Sequence, residues 1–493
     1  MFKFLKFMVL IIFALNIVSC KKDKLITDSS AKVRFSQDSV LFDTVFTSVG
    51  SSTRNIRVIN NNSQRIKISN IQLQNGNASF FIINVDGSPG KTFTDIEIAA
   101  HDSMYVFIQV NINPNASPVI SPFIISDKLI FTVNGNTQAL NLEAWGQNAY
   151  YHRPTNAIKF KDGTYLAYSL ISSTKNVDTT WLKDKPHVIY GYLVVDSGQK
   201  LTINAGIQIY MNYKAGLWVY QGGQLKVLGQ KDIEVVFQGA RKEKDYTDEP
   251  GQWDRIWINE GSDNNIINYA IIKNGYIGIQ TEVIGNTIGG LGRLKLTNTK
   301  IQNMSKWGLY SLAYHIYGGN NVISNCQEHS LNIELGGQYT FLHCTFANFW
   351  SKDKPRDRPT VNISNYTATQ ALPLDSCYFG NCIIDGTLGN ELNLDLNYTN
   401  LTYQPKPIFS NSWLKTNNSV ATASVYINVK TGASLNYRNT GGYDFSLPLS
   451  ETQPQNFSHP KATADATKFP TDIKGPSSMR NLISVTAGAY EVN

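Results

Sequence analysis

A chain of 493 residues is long enough for two or more domains with a sizeable core. Its formal net charge of +7 is spread without a long basic run, which excludes a nucleic-acid footprint. Five cysteines and seven histidines without CxxC or Cys/His spacing exclude a zinc site, so no metal is expected.

In chain order, Lys3 and Lys6 precede a run from Met8 to Val18 that is apolar apart from Asn16. The run is too short to cross a membrane comfortably and reads as an export signal. It ends in Ile17-Val18-Ser19-Cys20, which resembles the bacterial lipobox, with Ile17 where that motif usually has Leu. The resemblance implies cleavage before Cys20 and lipidation of its sulfur and new amine. Residues 1–19 are then the signal peptide and 20–32 the lipid anchor and tether, with Lys21, Lys22 and Lys24 in the tether. Lys21 lacks the acidic character that favours retention in the inner membrane. The expected address is therefore the outer membrane, facing the cell surface or the periplasm.

From residue 33 to 148 the hydrophobic pattern has period two, best in Met104, Val106, Ile108, Val110 and Ile112 against Tyr105, Phe107, Gln109 and Asn111. Val133-Asn134-Gly135-Asn136 reads as a hairpin turn, because Asn-Gly tolerates two positive φ angles. Short strands without helix predict a β-sandwich. The stretch from Asp43 to Asn61 resembles the immunoglobulin-like domains related to the abnormal-spindle and Hydin repeats, which implies a spacer or adhesion module.

Residues 149–493 show self-similarity. Ser262 to Ala270 and Gly318 to Cys326 align 56 residues apart, and the implied turn is roughly 18 to 30 residues. Leu201-Thr202-Ile203-Asn204-Ala205-Gly206 alternates inward apolar residues and then turns tightly. The 18-residue spacings Ile209 to Val227 and Val219 to Phe237 suggest successive coils. Cys326, Cys344 and Cys382 read at the phase of Ala270 and Thr299, where stacked coils need a small residue, and Asn274, Asn303 and Asn348 follow four positions later at bends. Cys377 can pair with a neighbour, although no spacing requires it. Together with Val235 to Gly239, Pro250 to Ile258 and the tail around Asp472 and Tyr490, these residues resemble right-handed parallel β-helix proteins of Bacteroidetes-type bacteria. The resemblance implies an all-β chain: an Ig-like sandwich, then a right-handed parallel β-helix of the pectate-lyase type with a closing segment at its C-terminus. It implies no chemistry, because solenoids host enzymes, adhesins and scaffolds alike.

Two loops carry charged clusters. Glu243, Asp245, Asp248, Glu249, Asp254 and Arg255 occupy an insertion with the residue types of a Ca²⁺-dependent polysaccharide lyase. The Arg-x-Pro-x-x-Arg pattern of such lyases is missing. Asp353 and Asp357, in a loop of alternating charge, are of the type that serves as glycosidase acid and base. Charged solenoid loops are more simply solvated. Several tryptophans (among them Trp181, Trp218, Trp253, Trp257, Trp307 and Trp350) lie in the repeat region, and flat rings stack on sugars. Trp218, Trp253, Trp257 and Trp350 are candidate glycan contacts. The expectation is an envelope-anchored binding or adhesion lipoprotein that presents a solenoid face to extracellular glycan. Alternatives are a polysaccharide lyase or glycoside hydrolase using Asp245, Asp248, Asp254 and Arg255, with Ca²⁺ only in the lyase case, and a structural envelope component with a protein partner.

Overall fold

Alternation of β-branched and polar residues yields strands almost throughout. The computed structural model describes residues 24–47, 50–113, 123–283, 292–352, 354–368, 370–399 and 404–492. Cys20 and the leader lie outside these residues, as does Asp353. The chain divides into two compact units, one ending at Asn148 and the other beginning at Ala149. Among the described residues no helix is long and apolar enough to cross a membrane.

The first unit consists of two five-stranded sheets around one core. One sheet joins Arg54–Ile59, Ser103–Val110 and Phe81–Val85 in antiparallel fashion. In the other, Ser39–Phe46 runs parallel to Asn136–Gln147, which pairs antiparallel with Phe123–Val133. Val106, Ile108, Val110 and Ile112 are fully buried, whereas Tyr105 and Phe107 point to solvent. Asn134 and Gly135 turn the hairpin with φ of 46° and 85°, and Val133 pairs with Asn136.

The second unit is built on large parallel sheets. Its chain visits three ladders in rotation. Tyr192–Val195 is followed by Lys200–Asn204 and Gln208–Met211, and the next circuit is Gly216–Val219, Gln224–Leu228 and Val235–Gly239. Each strand pairs in parallel with its counterpart one circuit later. Inward residues form continuous columns, such as Leu193, Leu217, Ile256, Ile279, Leu309, Leu331, Val361 and Leu392. Parallel pairing consumes the backbone donors and acceptors of every interior strand, and the columns bury one contiguous apolar core.

Circuit lengths differ from the simple spacings read in the sequence. Ile209 pairs with Phe237 and Val227 with Ile203, so the 18-residue spacings are coincidental. Val322 aligns with Ile271 through Lys300 rather than with Ile266, so the 56-residue match is out of register with the strand pairing. Cys344 and Cys382 hold the phase of Ala270 and Thr299, but Asn321 holds it in the intervening circuit and Cys326 lies beyond the strand. Cys326, Cys344, Cys377 and Cys382 are all buried free thiols.

Bends are set by residues that accept positive φ. Asn274 and Asn303 do so at one corner, with the amide of Asn303 donating to Asn274 Oδ1 at 2.8 Å. At another corner Asn298, Asn320, His343, Asn381 and Asn411 repeat the conformation. The C-terminal segment lies across the third ladder. Asn320, Asn325 and Asn381 donate to carbonyls of Thr471, Thr440 and Ala462, and Ala489 N donates to Thr345 Oγ1.

Candidate functional site

Of the four candidate tryptophans, two are interior. Trp253 is 1% exposed, belongs to the apolar core and donates Nε1–H to Lys273 O at 2.9 Å. Trp350 is 8% exposed and is tied to Lys354 O at 2.9 Å. Neither ring offers a sugar a free face, because each fills space beneath a loop. Trp218 and Trp257 do face away from the core, in register on adjacent strands and stacked with centroids 4.9 Å apart. Val194, Tyr192 and the hairpin residues Ile158 and Leu166 pack around them, leaving Trp218 buried and Trp257 half-buried.

The 241–256 insertion separates into two parts. Asp245 and Asp248 are exposed, and Asp245 sits in the short turn Lys244–Tyr246. Asp254 and Arg255 instead return to the strand surface. Asp254 accepts from the Tyr192 hydroxyl and from Arg255 Nη2 at 2.9 Å, and Arg255 donates to Gln280. The four acidic and basic candidates therefore do not form one centre. Among the described residues no group of three His, Cys, Asp or Glu side chains is arranged to hold a metal.

The outward column beside Trp218 and Trp257 continues through Gln280, Tyr310, Asn332, Asn362 and Asn393 on successive circuits. The next outward column carries Asn259, Glu282, Glu334 and Asp395. Two stretches of the chain line the later circuits, residues 354–359 and residues 327–329 together with Trp307. Between them lies a polar groove of about 620 Å³. Its floor is an amide ladder: Asn393 Nδ2 donates to Asn362 Oδ1 at 2.7 Å, Asn362 Nδ2 to Asn332 Oδ1 at 2.8 Å, and Asn332 Nδ2 to Glu334 Oε1 at 3.1 Å. Identical amides in register satisfy one another and hold their chain rigid, a preorganised polar strip.

Three of the groove carboxylates are held by neutral donors. Glu334 accepts from the Tyr310 hydroxyl at 2.9 Å, Glu328 from Trp307 Nε1 at 2.8 Å, and Asp395 from the Tyr366 hydroxyl at 2.8 Å. Burial, with the Glu334 charge next in size, pushes the Tyr310 hydroxyl up, so Tyr310 stays a donor. On the wall His329, 8% exposed, lies 2.6 Å from Pro359 O through Nδ1. A carbonyl accepts only, so Nδ1 carries the proton and Nε2 is the acceptor of the neutral ring. Burial pushes the His329 pKa down, which favours that neutral form. The loop wall is clamped by Arg356, which donates to Glu391 at 2.7 Å and to Arg358 O at 2.7 Å. Upstream, burial raises the Glu282 carboxyl against the bonds it accepts from Gln280 and Asn259.

Trp307 stood among the repeat-region tryptophans, and Lys354, Pro355, Asp357 and Arg358 in the loop of alternating charge; the other groove residues were missed in the sequence. Their signal is a recurring apolar-Asn-apolar triplet: Leu331-Asn332-Ile333, Val361-Asn362-Ile363 and Leu392-Asn393-Leu394. Asp357 stands on the exposed rim, 3.8 Å from Arg358.

No family model matches the chain, and no curated protein does. Among solved structures, a family 123 glycoside hydrolase from Clostridium perfringens, in work on glycolipid glycan hydrolysis, is 12% identical over 23% of this chain, with a TM-score of 0.17. The chain spans only 25% of that protein. The ASH/PapD-like domain 7 of human CEP192 is 16% identical over 27% of this chain and 94% of its own, with a TM-score of 0.17. The catalytic domain of a GH87 alpha-1,3-glucanase in complex with tetrasaccharides is 11% identical over 74% of each chain, with a TM-score of 0.20. At such scores none of the three bears on fold or chemistry.

Proposed function

We infer that this protein is an envelope lipoprotein that binds extracellular glycan in the groove above the Asn332, Asn362 and Asn393 ladder. On this reading Cys20 carries the lipid, residues 33–148 form an Ig-like spacer, and the three rotating ladders wind as a right-handed parallel β-helix. The observation that carries the reading is the groove itself. It is open, polar, floored by a fixed row of amides, and bounded at one end by the half-buried ring of Trp307, which packs at a tilt against Tyr310 with centroids 4.2 Å apart. Sugars present hydroxyls for amides and carboxylates and an apolar face for rings, and parallel strands repeat the pattern at one strand spacing per circuit.

The four groove carboxylates Glu328, Glu334, Asp357 and Asp395, with His329, also favour a second reading, a glycoside hydrolase acting at this groove. One experiment separates the two. The chain from Lys21 onward is incubated with a glycan panel, scoring retention and new reducing ends. Retention without turnover, weakened about tenfold by Trp307→Ala and by Asn362→Ala, is expected. New reducing ends lost in Glu334→Gln support the hydrolase. Retention unchanged in both alanine variants contradicts the groove assignment.

A further inference from the structure

We propose that the first unit, beyond acting as a spacer, docks an extended segment of a partner protein that carries a lysine or arginine, at an open edge of strand Phe123–Val133. This inference is independent of the glycan reading.

Strand Phe123–Val133 pairs with Asn136–Gln147 along one side, from Phe123 to Val133. On its other side Ile66–Leu73 covers only Leu129 to Val133. Just beyond, Gln74 N donates to Lys128 O at 2.8 Å, which fixes the side to which alternate backbone groups point. Ser126 and Ile124, two and four positions away, therefore turn their N–H and C=O groups the same way. Among the described residues the one partner there is the Asn75 side chain, whose Nδ2 donates to Ser126 O at 3.4 Å. Ile124 is 58% exposed. A sheet edge with free donors and acceptors is a template for an added strand.

Beside this edge opens a pocket of about 430 Å³ lined by Ala78, Phe80, Phe81, Ile125 and Asp127. Asp127 holds an inward position between Ile125 and Leu129, where the alternation calls for an apolar residue, and it is 7% exposed. Its Oδ1 accepts from Asn75 N at 3.2 Å and from Lys128 N at 2.7 Å. Its Oδ2 has no partner among the described residues. Lys91, bonded to Ser79 of the same rim, spends its ammonium on the carbonyls of Asn77 and Ser79. A buried carboxylate left half satisfied costs stability until a donor reaches it.

The edge and the pocket specify one occupant. On an added strand, the residue opposite Ile125 points to the same side as Ile125 and Asp127. Asp127 is then its diagonal neighbour, with the two residues roughly 7–8 Å apart. A lysine or arginine spans that gap, its aliphatic stem against the apolar lining and its cationic head at Asp127 Oδ2.

The test titrates four blocked heptapeptides, alternating Thr and Val around a central Lys, Arg, Met or Glu, into the chain from Lys21 onward by calorimetry at neutral pH. The Lys and Arg peptides are expected to bind about tenfold more tightly than the Met peptide, and the Glu peptide most weakly. Asp127→Asn, which keeps the shape and the Oδ1 acceptor, should bring the Lys, Arg and Met peptides within about twofold of one another. Ala78→Trp, a change at an exposed position of the lining, should weaken the Lys peptide about tenfold by filling the pocket. Saturation with the Lys peptide should slow amide exchange at Ile124 and Ser126. A Met peptide that binds as tightly as the Lys peptide, or unchanged exchange at Ile124 and Ser126, overturns the proposal. Failure of all four peptides to bind overturns it as well.

Discussion

At the scale of single residues, the loop that lines the groove is held by a buried ion pair. The side chains of Arg356 and Glu391 are 1% and 0% exposed, and Glu391 also accepts from Thr360 N at 2.9 Å, Thr360 Oγ1 at 2.8 Å and Leu388 N at 2.6 Å. Arg356→Met strands a buried carboxylate, and about 3–5 kcal/mol of stability should be lost in denaturant unfolding. Arg356→Met with Glu391→Leu should recover most of that, since an apolar pair leaves no unpaired charge. A single variant within about 1 kcal/mol of the parent would contradict the clamp. None of this was legible in the sequence, where Arg356 lay in a loop of alternating charge and its partner was 35 positions away. Tryptophan location was equally hidden. Trp257 lies between Ile256 and Ile258 and so faces outward by alternation, but Trp253 and Trp350 sit in loops where no period applies.

At the scale of elements, strands were legible wherever alternation ran on, as in Leu201 and Ile203. Their pairing was not. Insertions of different length after each circuit erase a fixed period, and an apolar residue pairs well with any apolar residue. The recurring asparagines were half seen: the corner at Asn274 and Asn303 was legible, whereas the one at Asn298, Asn320 and Asn381 admits His343 and so escapes a search for one residue type. The first strands of the third ladder carry a titratable pair, His152 Nε2 and His187 Nδ1, 2.9 Å apart and stacked on Trp181. Burial pushes His152 down to about 4 and His187 to about 3, the latter with the His152 charge as second cause. These folded values lie below the unfolded one, so the contribution of the neutral pair is full above about pH 6.5 and is lost as pH falls through about 4. Asp385, pushed up to about 6 by burial, works in the opposite sense and is lost as pH rises. A variant comparison isolates the histidines. The fall in unfolding midpoint between about pH 7 and pH 5 should be smaller in His187→Phe than in the parent. An equal fall would contradict the assignment.

At the scale of the whole molecule, the second unit is a stack whose chemistry can differ at every circuit while its core stays the same. The outward column passes from tryptophan to amides along one face, while the inward column beside it, from Leu193 to Leu392, remains Leu, Ile and Val. The C-terminal segment closes the third ladder with a buried pair, Arg480 and Glu491, 3.5 Å apart. The groove lies on the first ladder, beside Asn332 and Asn362. The central claim is therefore local, and amide hydrogen exchange of the chain from Lys21 onward, with and without the panel glycan retained most strongly at saturation, tests it most directly. Slowed exchange confined to the loop 354–359 and the strands Leu331–Leu342, Val361–Ser364 and Leu392–Asp395 is predicted. Protection that falls in the unit before Asn148, or around the 241–256 insertion instead, would contradict the account.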